Sequence, residues 1–586
     1  MTLGQRFVIL LVIVNSTVAG HFGKRPNASL TATLFNSMPK NLCWNLIERL
    51  PWQFYYWSGV TILFAWAAWR RFAVPLDPIA DPDTWGYLSP ALRELTGSAF
   101  GHTSGRNFIY PGFLYLLLRA FGDFRAITVA QHFLGLLAGG VLLLTWRRTR
   151  CFVANPRVSL GSYHVLGLLA AAIFLLASEP IRLETQLRPE GVCAFLLSIN
   201  LYVVIQFAAC CFIEDQRLSA AVYGVAAVFT SILLASVKPS FVLVAIVALL
   251  PIGTLFFRRR WGWQKIVLAG GAAVSAVVLL LPEHFLSRND KISQTFLPTT
   301  LFVVHANLIC DQMADDIQRN AKVPHSPEWL ERVHTTLSAE ITKSIVAGPL
   351  RYSTLGFDPD YLMYDRSSIA AQLRNEFGSN VSALCAFYWF YYWRIWQQRP
   401  LAVVKKIGRQ MAVFYKAQCP AYSQRKRWMP TYEYSRGVTS LDQEPYRKTW
   451  TAYPPAVEFM HRTEMLARSA PIVQQHGYIR KPLAVLAATY LPLLLIALAL
   501  SALVFMRQDR RRHLAWLAAL VLFVYSYNLA SCLEVAVIHS LQNPRYLAVQ
   551  VFFTILAQFL ALWFILEFAL GLRPRENESL ANTDST

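Results

Sequence analysis

Long apolar runs dominate this chain of 586 residues, falling near 55–74, 125–146, 163–178, 191–213, 219–236, 240–257, 264–282, 483–506, 514–537 and 546–571. Stretches of that length with so few charges read as helices in hydrocarbon, where every backbone N–H and C=O must be satisfied within its own helix. Hydrophobic residues make up 55% of the chain, more apolar surface than one soluble core can take up. The expected fold is an all-α polytopic membrane protein of about ten transmembrane helices. A formal net charge of +21 would point to nucleic acid in a soluble protein. Here the basic residues gather at the ends of spans, where orientation in the bilayer accounts for them, so no nucleic-acid partner is expected and membrane lipids with phosphate headgroups are.

Arg147, Arg148, Arg150 and Arg157 occupy one short loop, Arg258, Arg259 and Arg260 a second, Arg507, Arg510, Arg511 and Arg512 a third, and Arg573 and Arg575 the tail. The positive-inside bias places these in the cytoplasm. Arg70 and Arg71 fall on the other side and run against it. Residues 1–54 form an N-terminal segment in which 7–19 has the shape of a signal-peptide core, too short to cross comfortably. Residues 55–282 then make a first module of seven spans, 283–482 a large, mostly helical extracytoplasmic insertion, 483–572 a second module of three spans, and 573–586 a cytoplasmic tail. Within the insertion Ser326 can cap a helix with Pro327 in its first turn, and Trp329, Val333, Leu337, Ile341 and Ile345 repeat every fourth position. After Pro400, Leu401, Val404, Met411 and Phe414 alternate with Lys405, Lys406, Arg409 and Lys416, the pattern of an interfacial helix lying on headgroups.

Nine cysteines show no CxxC pair, and Cys193, Cys210, Cys211 and Cys532 lie inside apolar spans, so no zinc site or disulfide framework is expected. Cys310, Cys385 and Cys419 share the large insertion, where one disulfide is open to them. The chemistry falls instead on acids and bases that alternation sends to one face. Asp81 and Asp83, in Asp81-Pro82-Asp83-Thr84-Trp85-Gly86-Tyr87-Leu88, follow the first span and precede a short surface helix at 88–96. They either cap that helix or supply a general base, and spacing does not choose between the two aspartates. Arg106 heads a second interfacial stretch containing Tyr110-Pro111 and serves either as a headgroup anchor or as a phosphate ligand. The connection 178–190 carries Glu179, Arg182, Glu184, Arg188 and Glu190, which can pair among themselves or offer a bidentate arginine to phosphate. Lys238, before Pro239, and Arg545, between Pro544 and Tyr546, either snorkel or reach a substrate anion. His305 is a loop histidine or a substrate contact.

The order of these features resembles the GT-C superfamily of polytopic membrane glycosyltransferases, which includes protein O-mannosyltransferases and aminoarabinose transferases. The resembling features are Asp83 followed by Tyr87, Arg106 with Tyr110-Pro111, the Lys238-Pro239 break, and Arg545-Tyr546, over roughly residues 55–282 and 483–571. The resemblance implies inverting transfer from a polyprenyl-phosphate-linked sugar to a hydroxyl of an envelope glycan, lipid or protein, at the extracytoplasmic side of a bacterial inner membrane. It implies Asp83 as base with Asp81 as partner, and Arg106, Lys238 and Arg545 at the donor phosphate; beside these, Tyr87, Tyr110, Glu184, Arg188, Glu190, His305 and Tyr546 are the further candidate substrate contacts. No cofactor is required by it; some members use a divalent metal at the first-loop acid, for which Asp81-Pro82-Asp83 alone is no ligand set. The insertion 283–482 departs from the resemblance and leaves the acceptor open. A secondary transporter or lipid translocator is the rival reading, with charges lining a path through the bundle.

Overall fold

The computed structural model describes residues 52–101, 105–257, 262–423 and 425–572, with the side chains of 508–512 outside that description. The stretch 7–19, the basic residues up to 51, Arg258–Arg260, the side chains of Arg510–Arg512 and the tail from 573 also lie outside the described residues. By its contacts the chain divides into a unit of residues 1–59 and a unit of residues 60–586. Of the first, residues 52–59 are described and begin the helix Trp52–Phe72.

Among the described residues, seven helices are long and apolar enough to cross a membrane: Arg125–Phe152, Glu190–Ile213, Arg217–Val237, Gly262–Ser287, Gly477–Met506, His513–Ile538 and Pro544–Leu570. An eighth crossing results if Leu160–Leu176 and Ser178–Glu184, bent by 51°, count as one span. Two further runs expected to cross are helical but less qualified. Trp52–Phe72 mixes its apolar residues with many Trp and Tyr and ends in Arg70 and Arg71, and Pro239–Leu255 is short. The protein is a multi-pass helical membrane protein. Its central helix is Val551–Leu570, buried on every side from Val551 to Ala561, as expected of a helix that is apolar all round. Gly262–Ser287 and Gly477–Met506 instead expose Ile266, Val274, Val278, Val485, Leu495 and Leu498, side chains suited to lipid.

Arg70 and Arg71 explain their own departure from the charge bias. Both are buried. Arg71 donates to both oxygens of Glu184, at 2.8 and 2.9 Å, and to the carbonyl of Leu175 at 2.7 Å, while Arg70 donates to the carbonyl of Leu176. His132 Nδ1 lies 2.8 Å from the same Glu184 carboxylate. Gly135 makes the pocket for it, because a Cβ there would stand 1.9 Å from Glu184 Oε1. These arginines hold helix ends together and are not available to order headgroups.

The first loop is helical at Thr84–Leu95, starting four residues earlier than the expected 88–96, and at Ile109–Phe121, the second closed by Gly122 in the left-handed region at φ 61°. Ser326 caps Pro327–Ala347 through Trp329 N, and Val333 and Leu337 are buried. Ile345 is exposed and Ser344 takes its place, because a strict four-residue repeat drifts about 40° per step around a helix of 3.6 residues per turn. Pro400–Phe414 buries one of its basic residues, which the sequence pattern does not announce. Val403, Lys406, Gln410 and Phe414 face inward, while Leu401 and Val404 are exposed. The cause is Lys406, whose ammonium donates to the carbonyls of Ala536 and Val537, the unsatisfied end of His513–Ile538. Cys310, Cys385 and Cys419 are all free thiols.

The insertion has two parts. Residues from Phe302 to Val403 share one core. The helices Pro430–Leu441, Glu444–Thr451 and Pro454–Ser469 instead pack on the first-loop helices: Trp85 stacks on Tyr446 at 4.7 Å, Phe124 on Phe459 at 4.4 Å, and Arg462 bridges Asp77 and Asp123 at 2.6 and 3.0 Å. Strands Arg427–Trp428 and Val473–Gln474 close this part as an antiparallel pair. Replacing Glu184 by Ala leaves Arg71 buried without its anion and is expected to destabilise the fold by about 3–5 kcal/mol, read as lost thermal stability in detergent.

Candidate functional site

A single backbone bridge assembles the site. Ile79 and Gln186 pair in parallel, with Ile79 N donating to Thr185 O at 2.7 Å and Leu187 N to Ile79 O at 3.0 Å. Gln131 buttresses the second strand through Nε2, which donates to the carbonyls of Glu184 and Gln186. Tyr110 Oη in turn reaches Gln131 Oε1 at 3.2 Å. This pairing lays Asp81 and Asp83 beside Arg188.

Asp83 stands at the head of Thr84–Leu95, but its side chain makes no capping hydrogen bond. Asp81 does the local work, accepting from Asp83 N at 2.8 Å. The Asp83 carboxylate is left to three arginines from distant parts of the chain: Arg106 Nη2 at 2.9 Å on Oδ1, Arg545 Nη1 at 2.6 Å on Oδ2, and Arg188 Nη2 at 3.7 Å. Arg188 itself pairs with Asp81. Lys238, on the break after Arg217–Val237, donates to Glu190 at 2.9 Å. Aromatic rings separate these charges. Arg106 lies over Tyr87 at 4.9 Å, and Lys238 and Arg545 both lie over Tyr546 at 5.1 Å. Tyr87 meets Tyr110 edge-on at 5.4 Å.

Among the described residues, four cations, Arg106, Arg188, Lys238 and Arg545, therefore face three carboxylates, Asp81, Asp83 and Glu190, in a half-buried recess. Crowding among the cations is visible at Arg188, where burial and then repulsion by Arg545 pull the guanidinium down to about 10. Burial raises the Tyr87 hydroxyl, which stays protonated. Arg545 Nε is buried and has no hydrogen-bond partner, an arrangement that favours an anion arriving from outside the chain. The same crowd of cations disfavours a divalent metal. Asp81 and Asp83 are already held by arginine, Glu190 by lysine, and among the described residues no three His, Cys, Asp or Glu side chains converge. The residues present do not fit such an ion.

Ten of the sequence-selected residues thus come together: Asp81, Asp83, Tyr87, Arg106, Tyr110, Arg188, Glu190, Lys238, Arg545 and Tyr546. Two do not. Glu184 belongs to the buried group with Arg71 and His132. His305 is buried against Tyr392, with Nδ1 2.9 Å from Leu301 O, and burial followed by Lys406 pushes its imidazole well below the ordinary range. Other contributors carried no signal in the sequence. Asp360, in Pro359–Tyr364 of the insertion, lies 3.4 Å from His539, whose ring packs at 5.3 Å on Tyr546. Burial alone would raise the Asp360 carboxyl, but His539, Tyr352 and Arg351 outweigh it and hold it at about 2.

The site occupies one end of the bundle. Arg125–Thr149 begins beside it and, with 25 residues, runs roughly 37 Å to the other end, where Arg148 pairs with Glu214 at 2.7 Å.

No family model matches the chain, and no curated protein matches it. Among solved structures it is similar to the crystal structure of ArnT from Cupriavidus metallidurans bound to undecaprenyl phosphate, at 14% identity and a TM-score of 0.30, over 85% of this chain and 77% of that one. A likeness of that extent says nothing of this chain's chemistry, which rests on its own side chains.

Gly86 is where the backbone admits Arg106, since a Cβ there would lie 2.1 Å from Nη1 and 2.4 Å from Cζ. Gly86→Ala should keep or raise thermal stability, because alanine favours the helix by about 0.5–1 kcal/mol. It should also push the Arg106 guanidinium off Asp83, which a structure of the variant reads as loss of that 2.9 Å contact.

Proposed function

We propose that this protein is an inverting glycosyltransferase that moves a sugar from a polyprenyl-phosphate donor to a hydroxyl acceptor at the face of the membrane away from the cytoplasm. The observation that carries the reading is the Asp83 carboxylate held between Arg106 and Arg545 beside Lys238, a proton acceptor and phosphate ligands within one recess. Its place at the end of the bundle opposite Arg147, Arg148 and Arg150 supports the side, given the positive-inside bias. An anion whose tail stays in hydrocarbon meets these cations without leaving the membrane.

In the transfer, Asp83 takes the acceptor's proton as its oxygen forms a bond to the anomeric carbon. The bond from that carbon to the phosphate oxygen breaks, and its electron pair leaves with the polyprenyl phosphate. Arg106, Lys238 and Arg545 neutralise the departing charge, and stabilisation of this kind is often the largest catalytic contribution. The charges match at both ends of the reaction. Four cations against three carboxylates leave one positive charge, which a phosphodiester monoanion cancels. As the product phosphate gains a second negative charge, Asp83 becomes neutral by protonation. Tyr87 and Tyr546, flat beside the arginines, are the surfaces on which the sugar stacks, with Tyr110, Arg188 and Glu190 positioning around it. Glu184 and His305 are given packing roles only.

A transfer assay with purified protein and a panel of polyprenyl-phosphate sugars tests this. Asp83→Asn should lower the rate by about 10²- to 10⁴-fold without loss of fold. Full transfer by that variant, or none by the native chain with any donor, removes the reading.

A further inference from the structure

The recess contains the cations of a phosphate site, yet its own carboxylates occupy them. Asp83 is the one that spans two: Arg106 sits on one oxygen and Arg545 on the other, with Arg188 approaching the second. Both oxygens of this carboxylate are thus engaged by arginine before any substrate arrives. Of the three acids it is also the most accessible, its side chain 28% exposed against 19% for Asp81 and 5% for Glu190. Asp81 is tied to Arg188 and to the backbone of Asp83, and Glu190 to Lys238, so neither is as ready to move. Asp83 needs only a rotation of its side chain, because no capping bond holds it to the helix it precedes.

We infer that Asp83 acts as a built-in stand-in for the donor phosphate: in the free enzyme its carboxylate closes the Arg106–Arg545 pair, and the lipid-linked phosphate displaces it from those arginines, releasing it to accept a proton. This rests on the function proposed above and adds an order to it, donor before acceptor. The physical reason is competition for the same donors. A phosphodiester offers two unsubstituted oxygens to guanidinium groups in the geometry a carboxylate uses, so the two anions exclude each other from a bidentate hold. Arg545 Nε, buried and without a partner, gives the phosphate a contact that Asp83 does not make, which tips the exchange. Without donor, both oxygens of the base stay on arginine, and Arg106 and Arg545 rest against the rings of Tyr87 and Tyr546.

The inference makes an unusual prediction for a catalytic base: removing its charge should strengthen ligand binding. Purified native protein, Asp83→Asn, Asp83→Ser, Arg106→Gln and the double variant Asp83→Asn with Arg106→Gln are titrated in detergent with a polyprenyl phosphate, and with the uncharged polyprenol as reference. Both Asp83 variants should bind the phosphate about tenfold tighter or more, with polyprenol unchanged, and the gain should vanish in the double variant. Unchanged or weaker binding by the Asp83 variants overturns the inference, and so does an equal gain with Arg106 absent, which would reflect general charge and not exchange at this arginine pair. Tighter binding together with undiminished transfer by Asp83→Asn would keep the exchange and remove Asp83 as the base. Failure of every form to prefer the phosphate over the polyprenol removes both.

Discussion

An arginine inside a helix bundle must find its anion there, and the pairing of Arg71 with Glu184 sets the positions of the charged residues on both adjoining loops. Glu184 ends the short helix Ser178–Glu184, which bends away from Leu160–Leu176 to bring the carboxylate onto Arg71. Once that end is held, Thr185 and Leu187 lie against Ile79, and the next charged residues, Arg188 and Glu190, face Asp81 and Lys238. A buried pair of this kind contributes little net stability against an apolar replacement. Its value here is positional, since the loop carrying one set of charges is registered against the loop carrying the other.

The recess that results is a balance of charge with one cation in excess. No single pair in it is unusual. Their concentration is, because bringing Arg106, Arg188, Lys238 and Arg545 within reach of one another is unfavourable unless anions share the space, and the chain's own carboxylates cover all but one charge. The aromatic rings of Tyr87 and Tyr546 contribute by spreading the cations over their faces. A translocator would need charges distributed along the depth of the bundle. Polar groups inside the bundle pair with one another in places, as where Asn528 accepts from Tyr415 and Tyr490 and donates to Gln550.

The insertion contributes to this end of the bundle in two ways. Pro430–Leu441 and Pro454–Ser469 clamp the first loop through Tyr434, whose hydroxyl donates to Asp77 O, and through Arg462. Pro359–Tyr364 meanwhile brings Asp360 to His539 and so to the edge of Tyr546. The recess around Asp83 is thereby bordered by residues far apart in the chain.

The sequence by itself determined the helical, membrane-spanning character of the chain, because apolar length is a local property that hydrocarbon enforces. The short set of acids and bases worth following was legible there too, since charges at membrane depth are costly without a purpose. Periodicity gave no sign that Lys406, in Pro400–Phe414, turns inward to reach the carbonyls of Ala536 and Val537. Only the tertiary structure decided which charges meet. Glu184 and Arg188 are four residues apart and look alike in the sequence, yet one is committed to Arg71 and the other to Asp81, because the partner of a charge is chosen by the packing of helices distant in the chain.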